Sequence, residues 1–349
     1  MKIIDLRSDT LTLPDRKMLE RILTAPLGDA GRLDENERGG DPTVNALEDM
    51  AARMTGKERA IFVPSGTMGN HVALMTYCKP GDRVMVDRTQ HVFRAEEAAF
   101  SKRWGQLEPV FYELTEEGYP DPDSVDRCLK QGDIALFCVE NTHNSAGGTY
   151  IPRAVLERLC EQAHRAGVPI HMDGARLFNA SLASEVLVNE ICSYVDTVMF
   201  CISKGLGAPA GSLLCGNREF IGKASKVRKL LGGNMRQAGV LAAAGIYALE
   251  HNIQLLGEDH RRARIMAEEL DGLEGIHVEN PVQSNILILN VSGLGISAEH
   301  FVDCLEKRGV LTGKTGTETV RIVLYHGITD EDTAEAVRRI RCLEKEFEK

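Results

Sequence analysis

Seven short apolar runs, several of them followed by a longer helical pattern, constrain the fold of this chain more than any other feature. Strands that are apolar throughout are buried on both faces, and their alternation with helices is typical of a mostly parallel sheet. We therefore predict an α/β fold. The predicted strands are Ala60–Val63, Arg83–Asp87, Pro109–Tyr112, Ile134–Glu140, Val168–Asp173, Val195–Ile202 and Gly211–Cys215, and the predicted helices between them are Thr67–Cys78, Asp123–Lys130 and Arg153–Ala166.

The pattern changes in the last third of the chain. A length of 349 residues suits one large domain and a smaller one. We predict a large domain over residues 1–250 and a small α+β domain over residues 251–349. Helical patterns over Gln237–Glu250 and Arg262–Leu273 precede a β-β-α-β-α order over Val278, Asn285–Val291, Glu299–Arg308, Thr319–Leu324 and Asp330–Glu348.

Composition excludes several classes of function. The net charge of −10 argues against a nucleic-acid partner, because binding to a phosphate backbone depends on clustered basic residues. No apolar stretch reaches the roughly 18 residues of a membrane span, and the first residues lack the apolar core of a signal peptide. The nine cysteines form no C-x-x-C pair, which is typical of reduced thiols. We expect a cytoplasmic protein.

The motif P-S-G-T-M-G-N, Pro64 to Asn70, follows one predicted strand and opens a helix. Small residues let the N–H groups of Gly66 and Thr67 approach an anion, and the helix dipole favours negative charge there. The motif lacks the lysine of a Walker loop. An ordinary strand-to-helix turn, with Ser65 or Thr67 as N-cap, is the alternative.

Two further motifs end predicted strands. H-M-D-G-A-R places Asp173 where α/β sheets bind ligands, and a carboxylate there can hold a protonated ring nitrogen. Capping a turn or pairing with Arg176 is the alternative. S-K-G-L-G-A-P brings Lys204 out of an apolar strand, and a desolvated amine is a good nucleophile. A solvent-exposed turn is the alternative for that lysine.

The segment from Arg228 to Gln237 offers two more cations, Lys229 and Arg236, around a Gly-Gly turn. Arginine can bind a phosphate through two parallel hydrogen bonds. A solvated basic face is the alternative. The order of a phosphate cradle, an aspartate and a lysine at strand ends resembles that of fold-type I enzymes dependent on pyridoxal 5'-phosphate.

The chain as a whole resembles the L-threonine aldolase family, in the β-eliminating lyase group of fold type I. The resemblance extends over nearly the full length and rests on motifs whose combination is highly specific. These are Asp5–Thr10, Gly40–Thr43, Phe62–Asn70, Glu140–Asn144, His171–Ala180, Met199–Pro209 and Gly232–Gly245.

The resemblance implies a large domain that binds pyridoxal phosphate, a homotetramer with active sites at subunit interfaces, and an amino-acid substrate. It implies that Lys204 forms the Schiff base, Asp173 bonds the pyridine nitrogen and His91 stacks on the ring. The phosphate ligands are then Ser65, Gly66, Thr67 and Arg236, the last from the same or a neighbouring subunit, with Lys229 nearby. The substrate carboxylate ligands are Ser8, Arg176 and Arg321, with Arg176 also a cofactor ligand, and His143 lies near the β-hydroxyl.

The implied reaction is aldol cleavage of β-hydroxy-α-amino acids, so that L-threonine or L-allo-threonine gives glycine and acetaldehyde. His143, or His91 with a water, is the candidate base, since a histidine titrates near neutral pH. Structural roles for both histidines are the alternative. β-Elimination or racemisation on the same scaffold, and a cofactor carrier without activity, are the competing functions.

Two segments depart from the family pattern. The stretch Glu37–Pro42 carries Arg38 where the family usually has tyrosine, and Gly40 where it has an acidic residue. Arg38 is a candidate ligand for a second carboxylate or a phosphate of the substrate, with drift of a surface loop as the alternative. After Arg321, Tyr325 stands near a position where the family often has threonine, and it either supplies a hydroxyl or fills space.

Overall fold

The structure, a computed structural model, describes residues 2–35 and 38–347. The predicted α/β fold is confirmed, and each of the seven predicted large-domain strands is present within two residues of its expected bounds. The strands are β1 Ile4–Asp5, β2 Arg59–Val63, β3 Arg83–Val86, β4 Glu108–Phe111, β5 Ile134–Glu140, β6 Ile170–Asp173, β7 Thr197–Cys201, β8 Ser212–Gly216, β9 His277–Val278, β10 Ile286–Asn290, β11 Val310–Leu311, β12 Gly313–Lys314 and β13 Thr319–Val323.

The helices begin and end at residues suited to those positions. Helix α2, for example, starts after Asp41, whose carboxylate accepts the N–H groups of Thr43 and Val44, and ends at Gly56 in the left-handed region. The helices are α1 Arg16–Leu23, α2 Pro42–Thr55, α3 Gly66–Tyr77, α4 His91–Arg94, α5 Pro122–Leu129, α6 Arg153–Arg165, α7 Leu177–Ser184, α8 Val188–Ser193, α9 Arg218–Leu230, α10 Gly239–His251, α11 Leu256–Leu270, α12 Ala298–Lys307 and α13 Asp330–Glu344. The predicted last helix reached Glu348, which lies outside the described residues.

The main sheet has seven strands in the order β2-β8-β7-β6-β5-β3-β4. Strand β8 runs antiparallel to both of its neighbours, and the other adjacent pairs are parallel. Helices cover both faces, and the central strands β6 and β7 are buried along their whole length. The carboxyl ends of β2, β3, β5, β6 and β7 therefore lie at one edge of the sheet.

The small domain has its own hydrophobic cluster, around a four-stranded antiparallel sheet of order β12-β13-β10-β9. Ile4 and Leu6 from the N-terminal segment belong to this cluster, because β1 pairs with β11 of the small domain. The short strands β11 and β12 were not predicted. The division at residue 250 stays a prediction. Within the described residues, no helix combines the length and the apolar character needed to cross a bilayer.

Candidate active site

Four titratable side chains follow the carboxyl ends of neighbouring strands at the same edge of the sheet. Asp87 follows β3, Glu140 ends β5, Asp173 ends β6 and Lys204 follows β7. Glu140 and Asp173 occupy paired positions of adjacent strands. The edge of the sheet thus collects three carboxylates and an amine, as expected for the ligand-binding side of an open α/β sheet.

Asp173 is buried, and protein donors hold both of its oxygens. Asn70 Nδ2 lies 2.8 Å from Asp173 Oδ2, and the Ala175 N–H lies 3.0 Å from Oδ1. Asn70, fully buried in α3, also donates to Glu96 Oε1 at 3.0 Å. One amide group therefore bridges two buried carboxylates and fixes the orientation of Asp173.

His171 fixes the orientation of that amide in turn. Its Nε2 lies 3.1 Å from Asn70 Oδ1, and its Nδ1 lies 3.0 Å from Thr197 Oγ1. Because the amide oxygen accepts, Nε2 carries the proton and Nδ1 accepts from the threonine hydroxyl. Burial lowers the pKa of His171 to about 4, so the ring is neutral at physiological pH.

His91 lies at the start of α4, where Glu140 and Glu96 hold it from two sides. The backbone N–H of His91 donates to Glu140 Oε2 at 2.7 Å, and its ring Nδ1 lies 3.1 Å from Glu96 Oε1. The hydrogen bond with Glu96 raises the pKa of His91. The side chain is 38% exposed, the highest fraction among the groups around Asp173 described above, so Nε2 is its accessible nitrogen.

His143 is buried, and both of its ring nitrogens have protein partners. Nε2 lies 3.0 Å from Asp87 Oδ2, and Nδ1 accepts the N–H of Ala146 at 3.2 Å. Burial lowers the pKa of His143, whereas Glu140 and Asp87 raise it, to about 9. The bond from the Ala146 N–H, which only an unprotonated Nδ1 can accept, opposes the charged form. Protonation of Nδ1 breaks the bond from Ala146. His143 must therefore exchange a partner before it acts as an acid or a base.

Two guanidinium groups meet at one amide oxygen. Arg176 Nη1 and Arg321 Nη1 lie 3.2 and 3.0 Å from Asn144 Oδ1. Arg176 also forms two parallel hydrogen bonds with the buried Asp9, at 2.7 and 2.8 Å. Arg321 Nε is buried and has no hydrogen-bond partner among the described residues. This pair of cations can accept an anion in place of the neutral amide oxygen.

Lys204 is half-buried in the turn after β7. The Gly207 N–H donates to the Lys204 carbonyl at 2.8 Å, and the left-handed φ of +78° at Gly207 makes this tight turn possible. Burial alone would raise the pKa of Asp9, but Arg176 and, more weakly, Lys204 hold it below its ordinary value. The amine therefore lies in the same electrostatic environment as the Arg176–Asp9 pair.

Helix α3 begins at the end of β2. Ser65 is its N-cap and accepts the Met68 N–H at 3.2 Å, so the predicted capping alternative is present. A Cβ atom at Gly66 would lie 2.8 Å from Cys201 Sγ, so only glycine lets α3 approach β7 this closely. The first N–H groups of a helix lack intrahelical partners, and those of Gly66 and Thr67 belong to this set.

Four predicted site residues form no hydrogen bond or ion pair with this centre among the described residues, and a fifth, Ser8, is joined to it only through Asp9. Lys229 is exposed at the end of α9, and Arg236 pairs with Asp29 at 3.1 Å. Arg38 pairs with Asp49 in a cavity that none of the other predicted residues lines. Glu37, next to it, lies outside the described residues. Ser8 caps the turn at Asp9, and Tyr325 packs in the small-domain cluster, where it fills space.

The sequence did not assign roles to several residues that hold the site together. Asp9, Asn70, Glu140, Asn144 and His171 lie inside the quoted motifs, so the motifs contained the signal although no partner could be assigned. Glu96 lies outside every motif, and only the tertiary fold brings it to Asn70 and His91.

The fold is that of the fold-type I enzymes. A profile of the family described as beta-eliminating lyase matches residues 5–292, and the chain belongs to that family. It is 40% identical over 345 residues to the low specificity L-threonine aldolase of Escherichia coli K12, covering 97% of this chain and 99% of that protein.

Other relatives agree. Low-specificity L-threonine aldolase 1 of Arabidopsis thaliana is 39% identical, covering 95% of this chain and 94% of that protein. A threonine aldolase structure from Leishmania major superposes with a TM-score of 0.81 at 18% identity, covering 97% of this chain and 99% of that one. The structural likeness supports the fold, and the sequence likeness supports the family.

Proposed function

We propose that the protein is a pyridoxal-phosphate-dependent lyase that cleaves β-hydroxy-α-amino acids, with L-threonine or L-allo-threonine giving glycine and acetaldehyde. The observation that carries this proposal is the position of Lys204 and Asp173 at one edge of the main sheet, next to Arg176, which shares Asn144 Oδ1 with Arg321 of the small domain. That edge belongs to a chain 40% identical over nearly its full length to a low specificity L-threonine aldolase.

The residues present fit pyridoxal phosphate. Asp173 is a buried acceptor for a protonated ring nitrogen, Lys204 is an amine at the adjacent strand end, and His91 has a ring nitrogen within 4.8 Å of an Asp173 oxygen. We call Asp173, Asn70, His171, Glu96 and His91 the ring end. We call Ser65, Gly66, Thr67, Lys229 and Arg236 the phosphate end. When bound, the cofactor supplies an electron sink for the bond that breaks at Cα.

The chain's own residues orient the substrate and move its protons. Arg176 Nη1 and Arg321 bind the substrate carboxylate in the position now held by Asn144 Oδ1. Holding that carboxylate decides which bond at Cα is aligned for cleavage. Asp9 accepts hydrogen bonds from Nε and Nη2 of Arg176. Nη1 is therefore the nitrogen of Arg176 that can bind the substrate carboxylate.

His91 is the better placed of the two candidate bases. Its Nδ1 faces Glu96, which orients the ring and leaves Nε2 accessible to take the proton of the β-hydroxyl. His143 has partners at both nitrogens and positions the loop after β5. Because Glu96 raises the pKa of His91, we expect activity to increase with pH until that ring is neutral.

A homotetramer with shared active sites fits the exposed phosphate end. Arg236 is 66% exposed and pairs with Asp29. Its guanidinium can therefore reach the phosphate site of a neighbouring subunit. Large apolar side chains of the N-terminal segment, Leu13, Leu19, Leu23 and Leu27, are exposed as a surface for such contacts. A cytoplasmic location is part of the same proposal.

The test is product analysis. Purified protein with added pyridoxal phosphate is incubated with L-threonine and L-allo-threonine, and glycine, acetaldehyde and 2-oxobutyrate are quantified. We expect glycine and acetaldehyde in equal amounts. A keto acid without glycine supports elimination, a change of configuration without cleavage supports racemisation, and either result contradicts the proposal.

A further inference from the structure

A cavity of about 390 Å³ lies between the two domains, next to the Arg176–Arg321 pair. His91, Arg94 and Asn144 line it from the large domain, and Lys314 and Arg321 line it from the small domain. Because Arg321 and Asn144 form part of its wall, an amino acid held there by its α-carboxylate has this cavity open to its side chain.

The cavity is basic in an otherwise acidic protein. Arg94, Lys314 and Arg321 are its permanent cations, and Glu279 is its single lining carboxylate among the described residues. Glu279 Oε1 already accepts a hydrogen bond from Asn290 Nδ2 at 2.7 Å. The chain as a whole carries a net charge of −10. A local excess of positive charge at a cleft attracts an anionic ligand.

Of the three cations that line the cavity, Arg94 is the one available to bind such a ligand. Arg321 donates to Asn144 and to the Arg7 carbonyl, and Lys314 pairs with Glu299 at 3.1 Å. No carboxylate pairs with Arg94 in residues 2–35 and 38–347. Arg94 lies three residues after His91 in helix α4, so the backbone of this helix holds the arginine close to the proposed base. Its planar fork suits a carboxylate.

We propose that the preferred substrate carries a second carboxylate on its side chain and that Arg94 binds it, with Lys314 adding favourable charge. This inference rests on the proposed function, since it names the substrate class of the same site. The sequence predicts that Arg38 binds a second carboxylate of the substrate. We assign this role to Arg94 instead, because Arg38 lines a different cavity.

For 3-hydroxyaspartate the reaction balances without any oxidant. The Cα–Cβ bond breaks and its electron pair stays with Cα, which takes up a proton. The β-hydroxyl loses its proton and becomes the aldehyde oxygen. The products are glycine and glyoxylate, and glyoxylate keeps the second carboxylate that Arg94 binds.

The test compares 3-hydroxyaspartate with 3-hydroxyasparagine, which has the same shape without the second charge. We expect kcat/KM to favour the acid by about tenfold, mainly through KM, as one charge-assisted contact allows. Arg94→Met should abolish this preference and leave L-threonine cleavage unchanged within about twofold. Arg88→Met is the matched control, because Arg88 stacks on Phe111 and does not line the cavity.

Failure of this inference and failure of the proposed function give different results. Threonine cleavage with no preference for the acid, or a preference that survives in Arg94→Met, overturns the inference alone. Absence of glycine from every substrate overturns the proposed function. Calorimetric binding of L-aspartate against L-asparagine needs no turnover. If the wild-type protein binds L-aspartate and L-asparagine with equal affinity, the proposed role of Arg94 is contradicted even when no substrate is turned over.

Discussion

The ring end and the phosphate end differ in how far a single chain completes them. At the ring end, Asp173, Asn70 and His171 are each at most 2% exposed, and every side-chain contact described among them comes from within the chain. At the phosphate end, Arg236 is 66% exposed and bonded to Asp29. On the proposed assignment, the difference teaches that the fold preorganises the ring contacts, whereas the phosphate contacts need either a rearrangement or a second subunit.

The two ends also differ in what a substitution disturbs. A buried polar group that loses its partner costs about 1–3 kcal/mol, whereas an exposed ion pair contributes at most about 1 kcal/mol. Changes at the ring end should therefore affect stability and activity together. Changes at the exposed cations of the phosphate end, Lys229 and Arg236, should affect cofactor affinity alone.

The largest effect is expected at Lys204, in the turn after β7. Lys204→Ala should lower turnover by at least about a thousandfold, because in the described part of the chain Lys204 is the amine that follows this strand end. Borohydride treatment of the wild-type holoenzyme should attach the cofactor to the peptide that contains Lys204, as mass spectrometry can show. Lys223→Ala, on the exposed face of α9, is the control, and attachment to another lysine would contradict the assignment.

Asn70→Leu comes next and tests the ring end. The change removes the donor shared by Asp173 and Glu96 and the acceptor of His171, so several buried polar groups lose a partner at once. We expect the free energy of unfolding to decrease by at least about 2 kcal/mol, measured by urea denaturation. Ser65→Ala, which removes only an N-cap, should cost about 1 kcal/mol. Equal losses would remove the distinction between the two ends.

The neutral His171 predicts an acid-sensitive ring end. Its pKa is about 4 in the folded protein and near 6.5 when unfolded, so the unfolded state binds more protons between those values. Stability contributed by this group is therefore complete above pH 6.5 and decreases as the pH falls towards 4, by up to about 1.4 kcal/mol per pH unit. His171→Gln retains a donor and an acceptor but does not titrate, and denaturation midpoints across this range should then depend less on pH. An unchanged slope would assign the acid sensitivity to other groups, such as His260, whose pKa burial also lowers to about 4.

The sequence was sufficient to place Asp173 and Lys204 at one edge of the sheet. Parallel topology brings the carboxyl ends of β5, β6 and β7 together, so Asp173 and Lys204 could be grouped from strand order alone. Side-chain partners could not be inferred in the same way. Asp9 reaches Arg176 across 167 positions of sequence, and Glu96 belongs to no motif. The direction of the Arg38 side chain likewise depends on Asp49 and Asn45, which pattern and spacing do not reveal.

The smallest effect is expected at Arg236, and it sharpens the comparison most directly. If this guanidinium binds the phosphate from a neighbouring subunit, Arg236→Ala should weaken cofactor binding by about tenfold, the value of one charge-assisted hydrogen bond, without changing the free energy of unfolding of the apoprotein. Fluorescence titration of the apoprotein with pyridoxal phosphate measures this. Asp29→Ala is the matched variant, because it removes the same ion pair but leaves the arginine free, so its affinity should equal or exceed that of the wild type. Equal weakening in both variants would mean that Arg236 acts only through Asp29. A site shared between subunits exists only in the assembled protein. The apparent affinity for pyridoxal phosphate should therefore also fall when the wild-type protein is diluted below the dissociation constant of its subunits. It should not fall if one chain completes the phosphate end.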